Sequence, residues 1–433
     1  MYKLLMPIFL LFMMSACLYQ TPQVEATEQG VKSNKKVYEY EDSYILFALR
    51  AEQLRDFQSA SDIFSLLYDN TGKKEYLYRS LQNDLIVPEF NKVITRVNAL
   101  NNVGISDFVL MRVKIVALMG VGRLVEAKFL AHELLEESEE LDDYLLLSDI
   151  HVQLREYDNA LAVLERAYAK NYSEKVLDTI SLVLYVHLHK TQEAITRLES
   201  HSRIHGCSLQ ICMRLAGFYS KENNLEALLD VYLRIYELEE DANIAKKIVQ
   251  IYLYKRDSLS LISFLENSKS DDDTLLQLYA NMKNYDKAHL VARSLYKKTG
   301  DVSYLGRSAI YKYESYADKT DRIMLTQVIE NLKSVLELNG DALYLNYLGY
   351  ILIDHDVNIK EGMKYIEKAL EKEPNSSYYL DSLAWGHYKL GECQEASDIM
   401  QKVKNLEGGD NEEVLLHVKA IEQCLKMKKV GKK

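Results

Sequence analysis

The stretch Tyr379-Leu380-Asp381-Ser382-Leu383-Ala384-Trp385-Gly386-His387-Tyr388-Lys389-Leu390-Gly391, followed by Ala396 and Met400, decides the fold. It reads as a first helix, a short turn, and a second helix in which a small residue precedes a bulky one by four. Two helices of a hairpin cross near such a small residue, because a larger side chain would push them apart. The bulky residue one turn later fills the groove on the same face.

Working outward, the preceding unit runs Leu345-Asn346-Tyr347-Leu348-Gly349-Tyr350, then Gly362, Ile366 and Ala369, and closes at Pro374. Towards the N-terminus the small-then-bulky pair recurs as Ala60 with Phe64 and Val93 with Val97, and the small anchor continues at Ala127, Ala160, Ala194 and Ala227. The steps between these anchors are 33 or 34 residues, and a fixed period in this range signals a solenoid. Before the anchors sit turns such as Arg155-Glu156-Tyr157-Asp158-Asn159 and Lys283-Asn284-Tyr285-Asp286-Lys287, whose Asp and Asn are expected to cap the second helix. The register loosens at Ser260 with Phe264, Ala288 and Val328. With the polar insertion 313–319, this predicts a kink or a boundary between two halves.

The composition agrees. Proline occurs four times in 433 residues, at Pro7, Pro22, Pro88 and Pro374, which suits dense helix because proline costs about 3 kcal/mol inside one. A core growing lengthwise escapes the usual size limit of a single domain. The net charge of −11 argues against wrapping a nucleic-acid backbone. Phosphate loops, dinucleotide-binding glycine fingerprints and Gly-x-Ser-x-Gly elbows are missing, so no catalytic residue and no cofactor is assigned.

The N-terminus reads differently. Lys3 precedes an apolar run over 4–16, too short to span a membrane and suited to a signal peptide. It ends in Met14-Ser15-Ala16-Cys17, and a polar stretch follows to Lys36, read as a flexible tether.

Small residues immediately before a cysteine resemble the bacterial lipobox, which implies acylation of Cys17. Leu18, a non-Asp residue after that cysteine, leans towards the outer membrane. The Leu-Gly or Leu-Ala pair, tyrosine, small residue, bulky residue, alanine and proline of the last two units resemble the tetratricopeptide repeat. Together the two resemblances point to the tetratricopeptide-repeat bacterial lipoproteins. They imply an all-α, right-handed superhelical solenoid of about eleven degenerate helix-turn-helix units. The expected organisation is a signal peptide over 1–16, a lipidated cysteine and tether over 17–40, and a repeat array over 41–255. Degenerate units over 256–325, C-terminal units over 326–406, and a capping helix with basic tail over 407–433 complete it.

Family register places groove-facing side chains at Asn346, Tyr350 and Ile353, and at Asp381, Trp385 and Tyr388. Tryptophan and tyrosine are enriched at binding hot spots. The alternative for Trp385 is packing against the terminal helix. The expected partners are proteins or peptides of the cell envelope, with the membrane reached through Cys17 and no small-molecule substrate. This makes a periplasmic scaffold or chaperone that supports an envelope or flagellar machine. The rival is a cell-wall-acting or metal-dependent enzyme, whose metal would sit at His187, His189, His201, His205 and Cys207. A solvated polar face is the better reading of that cluster, and no metal is assigned. Cys207 with Cys212 and Cys393 with Cys424 can form two disulfides in an oxidising compartment, or stay as buried thiols. The lysines ending the chain, Lys426 to Lys433, could touch anionic lipid or complement a helix dipole, and the second is the better reading.

Overall fold

The structure, a computed structural model, describes residues 39–430, so the signal peptide, Cys17 and nearly all of the tether lie outside the described residues. The described residues form α-helices with no strand among them, and they divide into two compact units at the Glu240–Asp241 junction. The first unit pairs α1 (Glu41–Gln53) with α2 (Phe57–Thr71), α3 (Lys74–Ile86) with α4 (Phe90–Asn102), and α5 (Phe108–Gly120) with α6 (Leu124–Ser138). It continues with α7 (Leu141–Gln153) and α8 (Tyr157–Asn171), α9 (Glu174–Leu182) and α10 (Thr191–His205), and α11 (Leu209–Lys221) and α12 (Leu225–Leu238). The second unit pairs α13 (Ala242–Lys255) with α14 (Ser258–Ser268), α15 (Asp272–Asn281) with α16 (Tyr285–Thr299), and α17 (Val302–Ser315) with α18 (Arg322–Leu338). Then come α19 (Ala342–Asp354) with α20 (Ile359–Lys372), α21 (Ser377–Lys389) with α22 (Cys393–Val403), and the terminal α23 (Glu412–Val430). These are eleven hairpins, each stacked on its neighbours within its unit. No described helix is long and apolar enough to cross a membrane.

One corner recurs. The last residue before the second helix donates its N–H back to the first helix, as Asp56 to Ala51 (2.9 Å), Arg123 to Leu118 (2.9 Å) and Glu156 to His151 (2.8 Å). The residue just before it is left-handed: Arg55 (φ 61), Gly122 (φ 79) and Arg155 (φ 63). This is the Schellman turn that satisfies the orphan carbonyls of a helix end. Asp56, Asn224, Asp257, Asn284 and Asn358 cap the following helix through their side chains. At the Arg155 corner the expectation fails. The N-cap is Glu156, whose side chain makes no cap and instead bonds Lys128 and His151, while Asp158 and Asn159 already lie within the helix.

The packing anchor falls four residues past the N-cap. Ala60, Val93, Ala127, Ala160, Ala194, Ala288, Gly362 and Ala396 all stand there, buried. Two sequence anchors are one residue off. After Asn224 and Asp257 the position belongs to Leu228 and Leu261, both buried, whereas Ala227 and Ser260 are only half-buried. A search for small residues missed them because leucine fills the site there.

The loosened register has local causes. The N-caps of a hairpin stand sixteen residues apart in the regular pairs Asp107 and Arg123, Ser208 and Asn224, and Asp241 and Asp257. Ser173 and Lys190 are one residue further apart, and a π-helical turn over Val183–His187 absorbs the extra residue. In the second unit α15 spans only 10 residues, the corner 316–321 is long, and the corner 355–358 carries one more residue than usual. The unit junction lies ahead of 256–325, and that segment forms irregular hairpins inside the second unit.

Candidate functional site

The first helices of successive hairpins pack side by side, and their polar side chains meet across the stack. Arg112 on α5 makes a two-pronged bond to Asp143 on α7 (both 2.7 Å), and Arg214 on α11 does the same to Asp178 on α9 (2.5 and 2.9 Å). Tyrosines do much of the same work. Tyr78 donates to Asp107 (2.6 Å), Tyr185 to Glu222 (2.6 Å), Tyr304 to Asp273 (2.5 Å) and Tyr347 to Glu314 (3.2 Å). Many of the 32 tyrosines thus strap one repeat to the next, a use of ring plus hydroxyl that spacing alone did not reveal. Burial first, and then the carboxylate partners, pushes the Tyr78, Tyr185 and Tyr347 phenols upward, Tyr185 to about 12, so they remain donors.

The residues expected to face the groove come together at the C-terminal end, and a helix already covers them. Tyr350 donates to Glu413 on α23 (2.5 Å). Asp381 holds His417 Nδ1 through both oxygens (3.1 and 2.9 Å), and both side chains are buried. Trp385 stacks on His417 at 4.0 Å and on Tyr388 at 4.7 Å, and its indole N–H donates to Asp354 (2.9 Å). Packing against the terminal helix, the alternative considered for Trp385, is thus what the structure places there. Asn346 is 9% exposed and its Oδ1 has no hydrogen-bond partner. Ile353 is not a groove residue: it is fully buried in the apolar cluster of Ile366, Met363 and Ala369.

Upstream of this patch the second unit has an open groove of about 440 Å3 between α15, α17 and α19. Gln277, Asn281 and Arg307 provide its polar lining, and Ile310, Tyr311 and Tyr347 its apolar walls. Among the half-buried arginines, Arg79, Arg112, Arg197, Arg214 and Arg234 have carboxylate partners and Arg96 bonds two serine hydroxyls, whereas Arg307 has no such bond and lies 6.0 Å from the Tyr304 ring. In the first unit Asp149 stands nine residues past its N-cap, the position that Tyr350 and Trp385 hold in their helices. It bonds only Gln153 (3.1 Å), and burial raises its pKa to about 6. Sequence reading passed over Arg307 and Asp149. The signal for Asp149 was helix position, hidden because charged residues are common on every face, whereas Arg307, six residues past its N-cap, stands off the expected groove register.

The histidine cluster is a solvated face only in part: His189 and His205 are exposed, whereas His201 is buried. His201 is 4% exposed and its Nδ1 pairs with the Tyr168 hydroxyl at 2.8 Å, while the His205 ring lies 4.6 Å away. His187 stacks on Tyr157, a corner aromatic. Among the described residues no group of three or more His, Cys, Asp or Glu is placed to hold a metal ion. Cys207 is joined to Cys212, and Cys393 to Cys424, as disulfides with Cα–Cα distances of 5.6 and 5.8 Å. The side chains of the basic tail beyond residue 427 lie outside the described residues.

These hairpins, with their buried anchors and stacked first helices, define a solenoid of tetratricopeptide type. No family model and no curated protein matches the chain. Solved structures with a similar course include the APC/C hetero-tetramer Cut9–Hcn1, at TM-score 0.38 and 12% identity over 90% of this chain and 91% of that one. Yeast Tom70 is similar at TM-score 0.33 and 13% identity over 90% and 96%. A tetratricopeptide repeat protein from Parabacteroides merdae is similar at 0.28 and 14% over 65% and 98%.

Proposed function

We propose that this chain is a membrane-tethered scaffold of the bacterial cell envelope that holds segments of partner proteins along its first-helix face. The observation that carries this reading is the open groove at Arg307. There a half-buried guanidinium lacks the carboxylate that most of the other half-buried arginines have, beside two amide side chains and three apolar walls. Buried charges are normally paired, so a charge left free in a groove is set for a partner's carboxylate. Gln277 and Asn281 suit a peptide backbone, and Tyr311 and Tyr347 suit an apolar side chain. The tether rests on Met14-Ser15-Ala16-Cys17, and Leu18 favours the outer membrane, with the repeats in the periplasm. Supporting the assembly of an envelope machine, as chaperone or fixed scaffold, fits such a body.

The experiment places a photo-crosslinking amino acid at Tyr311 in the full chain, in cells. A defined envelope protein should be captured, and Arg307→Gln should reduce its capture about tenfold while Arg307→Lys retains part of it. Capture indifferent to both changes removes the groove assignment. Cys17→Ser should move the chain from the membrane to the soluble periplasmic fraction; if it stays with the membrane, the lipid tether is wrong.

A further inference from the structure

The patch on the last two hairpins holds a helix of the chain itself, and that helix shows what the patch accepts. Glu413 and His417 stand one turn apart on one face of α23, the spacing at which helical side chains align. Glu413 meets Tyr350, and His417 meets both Asp381 and Trp385. Val414, Val418 and Ile421 complete an apolar cluster with Ala384, Ala396, Met400 and Val403. The polar contacts are directional. Polar contacts in a packed seam add little net stability over apolar packing, and their best-attested role is to set register. A helix seated by such contacts can be replaced by another that makes them.

Two further features separate this seat from plain structural packing. Asn346, one turn before Tyr350 on α19, is nine-tenths buried with its Oδ1 unbonded, a need that α23 leaves unmet. And α23 is tied to the repeats at two points. One is the turn-rich connection 404–411, which contains Gly408 (φ 82) and Gly409, and the other is the Cys393–Cys424 disulfide. A tethered occupant competes at high effective concentration, and its hold weakens when one tether is cut.

We propose that Asn346, Tyr350, Asp381 and Trp385 form a docking surface for an amphipathic helix of a partner protein, with α23 as the intramolecular occupant that the Cys393–Cys424 disulfide retains. The partner helix carries a carboxylate for Tyr350, a histidine or other N–H donor one turn later for Asp381, and a hydrogen-bond donor for Asn346. This deepens the scaffold reading and rests on it. Release requires a dithiol reductant. Its first thiolate attacks one sulfur of the bridge, forming a mixed disulfide and freeing the other cysteine as thiolate. Its second thiolate then closes the reductant's own disulfide. The two electrons and two protons end on Cys393 and Cys424 as thiols.

Trp385 is the only tryptophan, so its fluorescence reports the stack on His417 directly. The probe is a labelled synthetic peptide of residues 412–427, added to the full chain with the bridge intact, after dithiothreitol, and in the Cys393→Ser, Cys424→Ser variant. The variant leaves Cys207–Cys212 untouched. Peptide affinity should rise at least tenfold in the reduced chain and in the variant, with a matching change in Trp385 emission on opening. Asp381→Asn in the receptor, or His417→Ala in the peptide, should remove most of that affinity. Equal binding in all three forms overturns the proposal, as does binding unaffected by Asp381→Asn. The Arg307 groove takes no part in this measurement, so its failure would leave the scaffold test at Tyr311 standing on its own result.

Discussion

Gly349 and Gly362 meet so closely where α19 crosses α20 that a methyl group on either would stand 2.6–2.7 Å from the carbonyl oxygen of the other. The sequence marks Gly362 as a departure from the alanine usual at its position, a sign of a degenerate repeat. The structure gives it a reason: both neighbours are backbone, which cannot rotate away. Gly362→Ala should therefore destabilise the second unit by about 1–3 kcal/mol, as overpacking does. Urea unfolding checks it. A gain in stability would mean the two helices can separate at no cost.

The opposite sign is expected at the corners. Arg155 is exposed and held at φ 63, where a side chain clashes with its own backbone. Arg155→Gly should raise stability by about 0.5–1 kcal/mol, and thermal unfolding of the two proteins side by side tests it.

The ladder between first helices should be costly to cut from one side. Asp143 is 1% exposed and depends on Arg112 for its charge partner. Arg112→Met leaves that carboxylate buried and should cost about 2–4 kcal/mol, while Arg112→Met with Asp143→Leu should recover most of the loss. A double-mutant cycle that comes out additive would contradict this pairing.

Asp149 should leave a mark on the pH dependence. Its folded pKa, about 6, lies above the ordinary value of 3.8, so the folded state binds its proton more tightly than the unfolded one. Its contribution thus rises as pH falls from above 6 towards 4, and at pH 7 the buried charge is a penalty. Asp149→Asn should raise stability at pH 7 by roughly 1 kcal/mol and flatten the profile between pH 4 and 6. Glu156 works the other way. Its pKa is lowered to about 2 by Lys128 and His151, so its contribution is lost as pH falls below about 4. The difference between wild type and Asp149→Asn isolates the Asp149 part.

What the sequence determined by itself is the local, repeated part of this protein. The small-then-bulky pairs from Ala60 to Ala396 and the Asp and Asn caps act within one hairpin, and the corner tyrosines Tyr157 and Tyr285 reach only the next one, at His187 and Tyr311. Their physics is short-range, and a period of 33 or 34 residues made it visible many times over. Tertiary structure alone decided which groove is open. Register expected Tyr350 and Trp385 to face a groove, but the helix that meets them is placed by Glu413, 63 residues beyond Tyr350, and His417, 36 beyond Asp381, outside any repeat. Arg307 and Asp149 became distinctive only when the partners of the other half-buried charges on the first helices, such as Arg112 and Arg214, could be traced. A repeat reports where a side chain points, and docking of a non-repeated helix depends on chain that the period does not describe.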